Sequence, residues 1–216
     1  MQVTGADHLT AVELKRKIQT HTANVAVVGL GYVGLPLAVE KAKVGFHVLG
    51  IEQNPKRAYK VNNGENYILD VKDEDLKQVV HAGKLKAYTD FACLPEADVI
   101  VICVPTPLNT NRDPDISYIV NVTNEIANHL RPGQLVTLES TTYPGTTQEV
   151  ILPKLEATGL KTDQDREFQL RGDVIRDRFR RAKIVSQRKA SSIDGFYVYT
   201  GFICQQAVRY FCVQRK

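Results

Sequence analysis

The chain has 216 residues, 43% of them hydrophobic and 24% charged, which is enough for one globular core and an additional segment. No apolar run approaches the roughly 18 residues that a membrane-spanning helix needs, and the N-terminus lacks the apolar stretch of a signal peptide. The net charge of +4 is unevenly divided, because residues 1–160 hold 15 Lys/Arg and 18 Asp/Glu whereas residues 161–216 hold 13 and 6.

The predicted elements alternate between strand and helix from residue 24 onward, after a short amphipathic helix over Thr10–Gln19. The predicted strands are Val25–Gly29, His47–Glu52, Lys86–Tyr88, Val99–Val104 and Leu135–Glu139. The predicted helices are Val33–Val44, one starting at Asn54-Pro55, one within Asn62–Lys84, Ile116–Leu130 and Val150–Leu155, the last preceded by a capping box at Thr146 and Glu149. This alternation predicts the α/β class, with a Rossmann-type, doubly wound parallel sheet.

The chain divides into three predicted segments. These are a helical lead over residues 1–22, the Rossmann-type domain over residues 23–160 and an irregular, basic tail over residues 161–216. In the tail Ile175 and Phe179 are four residues apart and predict at most a weak helix, and the aromatic residues do not alternate as in a strand. The abrupt change in composition predicts a truncated or frame-shifted, poorly ordered end.

Cysteines and histidines favour no metal site. The four cysteines do not have the spacing of metal ligands, and the five histidines are scattered along the chain. We therefore predict reduced thiols, no bound metal and a cytoplasmic location.

A glycine motif follows the first predicted strand, as Gly29-x-Gly31-x-x-Gly34. In this motif the first glycine permits a tight turn, the second lets the backbone approach a pyrophosphate, and the third lets the helix pack closely on the strand. The helix N-terminus adds free N–H groups and a positive dipole end. The motif is specific only between a strand and a helix with an acidic residue after the next strand, and all of these are present.

That acidic residue, Glu52, predicts the choice of cofactor. It lies 18 residues after Gly34, close to the spacing at which a carboxylate accepts hydrogen bonds from an adenosine ribose and repels a 2′-phosphate. NAD is therefore favoured over NADP, with a simple strand cap as the alternative. Arg57, one turn into the next helix, either lies near the adenine or a phosphate or is merely exposed to solvent.

Two loops follow predicted strands at the edge where open α/β sheets bind ligands. The first loop contains the stiff sequence Pro105-Thr106-Pro107, and the second begins with Ser140 and Thr141, whose hydroxyls are expected near the nicotinamide or a reacting water. For both loops the alternative is an ordinary turn, held by local hydrogen bonds.

With these features, the chain resembles the NAD-binding N-terminal domain of the UDP-glucose/GDP-mannose dehydrogenases. The resemblance covers about residues 12–160 and is carried by Val25–Glu52, Val99–Leu108 and Glu139–Thr147. The motifs Val-Pro-Thr-Pro-Leu and Glu-Ser-Thr-Thr-Tyr-Pro-Gly-Thr are most similar to those of the branch that oxidises UDP-N-acetyl-hexosamines. This branch includes the UDP-N-acetylglucosamine 6-dehydrogenases of polysaccharide biosynthesis.

The resemblance implies oxidation of the sugar C6 alcohol to a carboxylate, with two hydride transfers to NAD⁺ and a cysteine that holds the substrate covalently. It implies that Glu52 binds the ribose, that Arg57 lies on the adenine side and that Thr141 lies near the nicotinamide and a catalytic water. The implied pyrophosphate contacts are Gly29, Gly31, Tyr32, Val33 and Gly34. The other implied cofactor contacts are Val104, Pro105, Thr106, Pro107 and Ser140.

The sequence also departs from this family. The expected Gly-Gly-x-Cys-x-Pro-Lys-Asp motif of the nucleophile does not occur, and Cys204 shares only a glycine and a cysteine with it. The first hypothesis is therefore a UDP-sugar dehydrogenase represented mainly by its cofactor domain, with homo-oligomers expected only for a full-length form. The second is a non-catalytic NAD-binding fragment. A nucleic-acid role for the basic tail ranks last, because the tail shows no nucleic-acid-binding motif.

Overall fold

A computed structural model describes residues 11–108, 110, 114–140, 142–143, 145–160 and 168–171. The predicted helical spacing at Ile175 and Phe179, like the other predictions for residues 172–216, lies outside this part of the chain.

Six parallel strands form one sheet at the centre of the molecule. They are β1 (Asn24–Val28), β2 (His47–Ile51), β3 (Leu85–Tyr88), β4 (Val99–Ile102), β5 (Gln134–Leu138) and β6 (Phe168–Arg171). The spatial order is β3-β2-β1-β4-β5-β6, and every neighbouring pair is parallel. This is the strand order of the doubly wound nucleotide-binding fold, which confirms the predicted fold class.

Helices cover both faces of this sheet. They are α1 (Ala11–Gln19), α2 (Gly34–Lys43), α3 (Pro55–Asn62), α4 (Asp73–His81), α5 (Ser117–His129) and α6 (Leu152–Glu156), with a 3₁₀ turn at Leu94–Glu96 and a π-helical turn at Thr147–Ile151. Because side chains alternate along a strand, Val25 and Val27 of β1 lie in the core with α2 and α4, whereas Ala26 and Val28 lie in the core with α5 and α6. All four residues of β4 are buried, as expected of a central parallel strand.

Strand β6 was not predicted from the sequence. Its four residues lie within the segment predicted as an irregular tail, yet their backbone pairs with β5 from Gln134↔Phe168 to Thr137↔Arg171. Four residues give only two alternations of apolar and polar side chains, which is too few for the pattern to stand out among neighbouring charges. The segment boundaries at residues 22 and 160 stay predictions.

Two predicted helix starts have different outcomes. Asn54 caps α3 as predicted, with its Oδ1 accepting hydrogen bonds from the N–H groups of Lys56 and Arg57 at 3.0 and 3.4 Å. The predicted capping box at Thr146 is wrong, because this residue already has helical dihedral angles and makes no side-chain cap. Its hydroxyl instead donates to the carbonyl oxygen of Tyr143 at 2.9 Å, which holds the preceding loop.

Candidate functional site

The three positions of the loop between β1 and α2 are occupied by glycine for different structural reasons. A Cβ on Gly29, whose φ is +92°, would lie 2.8 Å from the carbonyl oxygen of Cys103, and a Cβ on Gly34 would overlap the carbonyl of Gly29. The fold itself therefore requires these two glycines. A Cβ on Gly31 would meet nothing within 4 Å. The fold does not require glycine here, and the space beside it is open to a pyrophosphate, whose contact stays a prediction.

Four consecutive backbone N–H groups form the rim of this loop. The N–H groups of residues 31–34 donate to no other residue that the structure describes. Tyr32 and Val33 are 76% and 54% exposed and Gly34 is buried, so the rim runs from solvent into the start of α2. Free N–H groups at a helix N-terminus attract anions, because their partial positive charges add to that of the helix dipole. The residues present therefore fit the phosphates of a dinucleotide.

Glu52 stands directly beside the glycine loop, at the end of β2. Its carboxylate is buried and fixed by two backbone groups: Oε2 accepts from the N–H of Leu30 at 3.3 Å and Oε1 from the N–H of Asn54 at 3.0 Å. An ionised carboxyl oxygen accepts more than one hydrogen bond, so both oxygens keep capacity for hydroxyl groups of a ligand. The strand-end bonds and the predicted ribose contact are therefore compatible in one side chain.

Tyr67 contacts the same loop, although the sequence does not predict it as a site residue. Its hydroxyl donates to the carbonyl oxygen of Leu30 at 2.7 Å, and the guanidinium of Arg57 lies 5.6 Å from the centre of its ring. Burial raises the pKa of Tyr67, the charge of Glu52 raises it further and Arg57 opposes the rise. The ring therefore connects the exposed Arg57 to the glycine loop. No local sequence signal marks Tyr67, because it lies in the polar stretch between two strands.

The loops after β4 and β5 are bonded to each other. Ser140, which is buried, donates its hydroxyl to the carbonyl oxygen of Val104 at 2.8 Å. Pro105 and Pro107 are exposed, and the carbonyl oxygen of Pro107 accepts from the N–H of Asp115 at 2.7 Å. Ser140 thus makes a structural bond between two loops, not the local turn bond of the alternative interpretation, and its cofactor contact stays a prediction. The cofactor contacts of residues 104–107 stay predictions too.

Thr141, the predicted neighbour of the nicotinamide and a catalytic water, lies outside the described residues. The hydroxyl-rich segment around it is partly described. The hydroxyls of Thr142 and Thr146 are buried and lie 2.7 Å apart, so they bond to each other. Both therefore hold the shape of the described part of the loop that follows Thr141 in sequence.

The two cysteines that the structure describes offer no activated thiol. Cys93 and Cys103 are buried and form no disulfide. Burial raises the pKa of Cys93 to about 11, which keeps it a protonated, unreactive thiol at neutral pH. Among the residues that the structure describes, no group of three His, Cys, Asp or Glu side chains is placed to hold a metal ion. None of the helices described is long and apolar enough to cross a membrane.

Comparison with known proteins identifies the family. The model of the NAD binding domain of the UDP-glucose/GDP-mannose dehydrogenase family matches residues 23–199, which is more than half of the chain. The chain belongs to the UDP-glucose/GDP-mannose dehydrogenase family. This match confirms the resemblance inferred from the motifs and the prediction of NAD as the cofactor.

Individual relatives agree with this family. UDP-N-acetyl-D-glucosamine 6-dehydrogenase of Salmonella typhi is 37% identical over 142 residues, which are 65% of this chain and 32% of that protein. A structure of the UDP-D-ManNAc dehydrogenase from Pyrococcus horikoshii is similar with a TM-score of 0.64 and 38% identity, covering 68% of this chain and 35% of that chain. A ternary complex of a GDP-mannose dehydrogenase from Pseudomonas aeruginosa is similar with a TM-score of 0.64 and 32% identity. This match covers 68% of this chain and 34% of that chain.

The chain spans about a third of the length of the curated relatives it matches. Those relatives are nucleotide-sugar dehydrogenases, and the shared part is the dinucleotide-binding end.

Proposed function

We propose that this chain supplies the NAD-binding domain for oxidation of the C6 alcohol of a UDP-sugar, with UDP-N-acetyl-hexosamines as the favoured substrates. The observation that carries this proposal is the row of free N–H groups over residues 31–34 beside the fixed carboxylate of Glu52. The amino-acid sequences of the loops after β4 and β5 and the names of the relatives support the substrate class.

Each part of the site has a separate role in this proposal. The N–H groups of residues 31–34 hold the pyrophosphate, and Glu52 holds the adenosine ribose and disfavours a 2′-phosphate. Arg57 lies toward the adenine. Ser140 fixes the loop at Val104 on the nicotinamide side, where Thr141 orients the reacting water. Bound NAD⁺ supplies the hydride acceptor, while the chain's own residues bind, orient and enclose the reactants.

We propose further that the 216-residue chain does not turn over a UDP-sugar alone. The family's chemistry uses a nucleophilic cysteine in a motif that this sequence does not contain, and Cys93 and Cys103 are buried inside the sheet domain. A non-catalytic NAD-binding role is therefore the second candidate. Cytoplasmic location and the lack of a nucleic-acid partner stay predictions, as does the restriction of homo-oligomers to a full-length form.

The test is NAD⁺ binding and NADH formation by the whole chain, with UDP-N-acetylglucosamine, with UDP-glucose and without sugar. We expect saturable NAD⁺ binding and no steady-state NADH with either sugar. Steady-state NADH that requires a UDP-sugar would show that the chain is itself a catalyst. Failure to bind NAD⁺ would instead refute its role as the cofactor domain.

A further inference from the structure

Leu30, the residue between the first two glycines of the loop, is fixed by two backbone hydrogen bonds and by the packing of its side chain. Its N–H donates to Oε2 of Glu52 at 3.3 Å, and its carbonyl oxygen accepts from the hydroxyl of Tyr67 at 2.7 Å. Its side chain is completely buried and packs against Gly50 of β2, where an added Cβ would lie 2.8 Å from Leu30 Cδ1. The contacts come from two separate segments, β2 with its carboxyl end and the stretch between α3 and α4, so the position of this residue is strongly determined.

The bond from Tyr67 also fixes the peptide group that follows Leu30. In a planar trans peptide the C=O and the next N–H point in opposite directions. The chain has no cis peptide bond among its described residues, so the C=O of Leu30 and the N–H of Gly31 are opposed. Because the C=O points at Tyr67, the Gly31 N–H must point away from it. Gly31 is also the residue whose Cβ position is open.

We propose that Tyr67 is a positioning residue of the NAD site, whose hydroxyl orients the Leu30–Gly31 peptide so that the Gly31 N–H faces the pyrophosphate. This inference rests on the proposed role of the glycine loop as the phosphate site. Tyr67 itself does not touch the cofactor in this account. It acts through Leu30 from one side, while Glu52 acts on the same residue from the other.

The Tyr67 hydroxyl matters because no other described group takes its place as the donor to the Leu30 carbonyl oxygen. Leu30 is fully buried, and the structure gives its carbonyl oxygen no other donor in the described part of the chain. Without the hydroxyl, this carbonyl would be a buried acceptor without a partner, and rotation of the peptide toward another donor would become favourable. A rotated peptide would turn the Gly31 N–H away from the ligand, and the apparent affinity would fall with the fraction of loops still in the competent form.

Tyr67→Phe tests the hydroxyl alone, because the ring and its contact with Arg57 are retained. We expect the dissociation constants of NAD⁺ and of ADP-ribose, measured by calorimetry on the whole chain, to rise by the same factor of about three to ten. The matched control is Tyr59→Phe, which removes a hydroxyl from the exposed tyrosine of α3 and should leave both constants unchanged. A purely structural hydroxyl would lower Tm in Tyr67→Phe without changing the affinity of the folded protein.

Gly50→Ala tests the same peptide through the Leu30 side chain, which the added methyl group displaces. It should also weaken NAD⁺ and ADP-ribose equally. Unchanged affinity for both ligands in Tyr67→Phe, or an effect on NAD⁺ but not on ADP-ribose, would overturn the proposed positioning role. Absence of NAD⁺ binding by the unaltered chain would overturn the phosphate site itself, and the two failures are therefore distinguishable.

Discussion

At the scale of single residues, Glu52 combines two tasks that sequence reasoning had treated as alternatives. The carboxylate ends β2 by accepting two backbone hydrogen bonds, and it stands where a ribose is expected. One of its two backbone partners is Leu30 of the glycine loop. We therefore expect substitution of Glu52 to affect the loop as well as the predicted ribose contact.

Glu52→Ala should weaken NAD⁺ binding by about ten- to a hundredfold, since hydrogen bonds to a charged group contribute about 1.5–3 kcal/mol. It should weaken NADP⁺ less, because the repulsion of a 2′-phosphate is lost. Titration of both cofactors by calorimetry gives the ratio of their affinities. Glu65→Ala removes an exposed acid from the same region and should leave that ratio unchanged. An unchanged ratio in Glu52→Ala would mean that Glu52 does not read the ribose.

Sequence patterns identified these residues unevenly, for physical reasons. The glycines are recognised by the backbone conformations and close approaches that glycine permits, and Glu52 by its fixed distance along the chain from them. Residue type and spacing are both readable from the sequence. Tyr67 lies 37 residues from Leu30 in the chain, and its role arises only when the polar stretch folds back on the loop. Thr146 was misassigned because the spacing Thr-x-x-Glu does not reveal that the helix begins earlier, with a π-helical turn.

At the scale of secondary structure elements, Asp98 joins several elements at the edge of the sheet opposite the glycine loop. It directly precedes β4, and its side chain is only 4% exposed. Its Oδ1 lies 3.0 Å from Nζ of Lys17 on α1 and 3.1 Å from Nη2 of Arg131 after α5, while Oδ2 accepts from the N–H of Asn24 at 3.0 Å. This buried carboxylate connects α1, β1, β4 and the start of β5.

Asp98→Ala should lower the free energy of unfolding by about 2–4 kcal/mol, measured by urea denaturation. Removing one partner of a buried ion pair costs about 3–5 kcal/mol, and the partial exposure of Lys17 and Arg131 reduces this. The NAD⁺ affinity of the folded protein should not change, because the site is at the other edge of the sheet. Glu13→Gln, which breaks an exposed pair with Arg16, is the control and should leave stability unchanged. An equally small effect for Asp98→Ala would contradict the connecting role.

At the scale of the whole molecule, alternation of apolar strands and helices was enough to predict the architecture. The five strands predicted from sequence all occur, with ends that differ by at most two residues. The order of the strands and the position of β6 depend on pairing across the sheet. The sequence of a four-residue strand at the edge of the sheet does not predict that pairing. The carboxyl ends of β1, β2, β4 and β5 consequently meet at one edge, where the separate motifs become one site.

The most direct test of the central claim is the affinity of the whole chain for NAD⁺, with Gly31→Val as the paired variant. Because the Cβ position of Gly31 is open, this variant should fold with an unchanged Tm. Its side chain would occupy the space that the pyrophosphate approaches, so NAD⁺ binding should weaken at least about tenfold. Saturable binding by the unaltered chain and its loss in Gly31→Val at the same Tm is the predicted result. No binding by the unaltered chain, or equal binding by both proteins, would contradict the account.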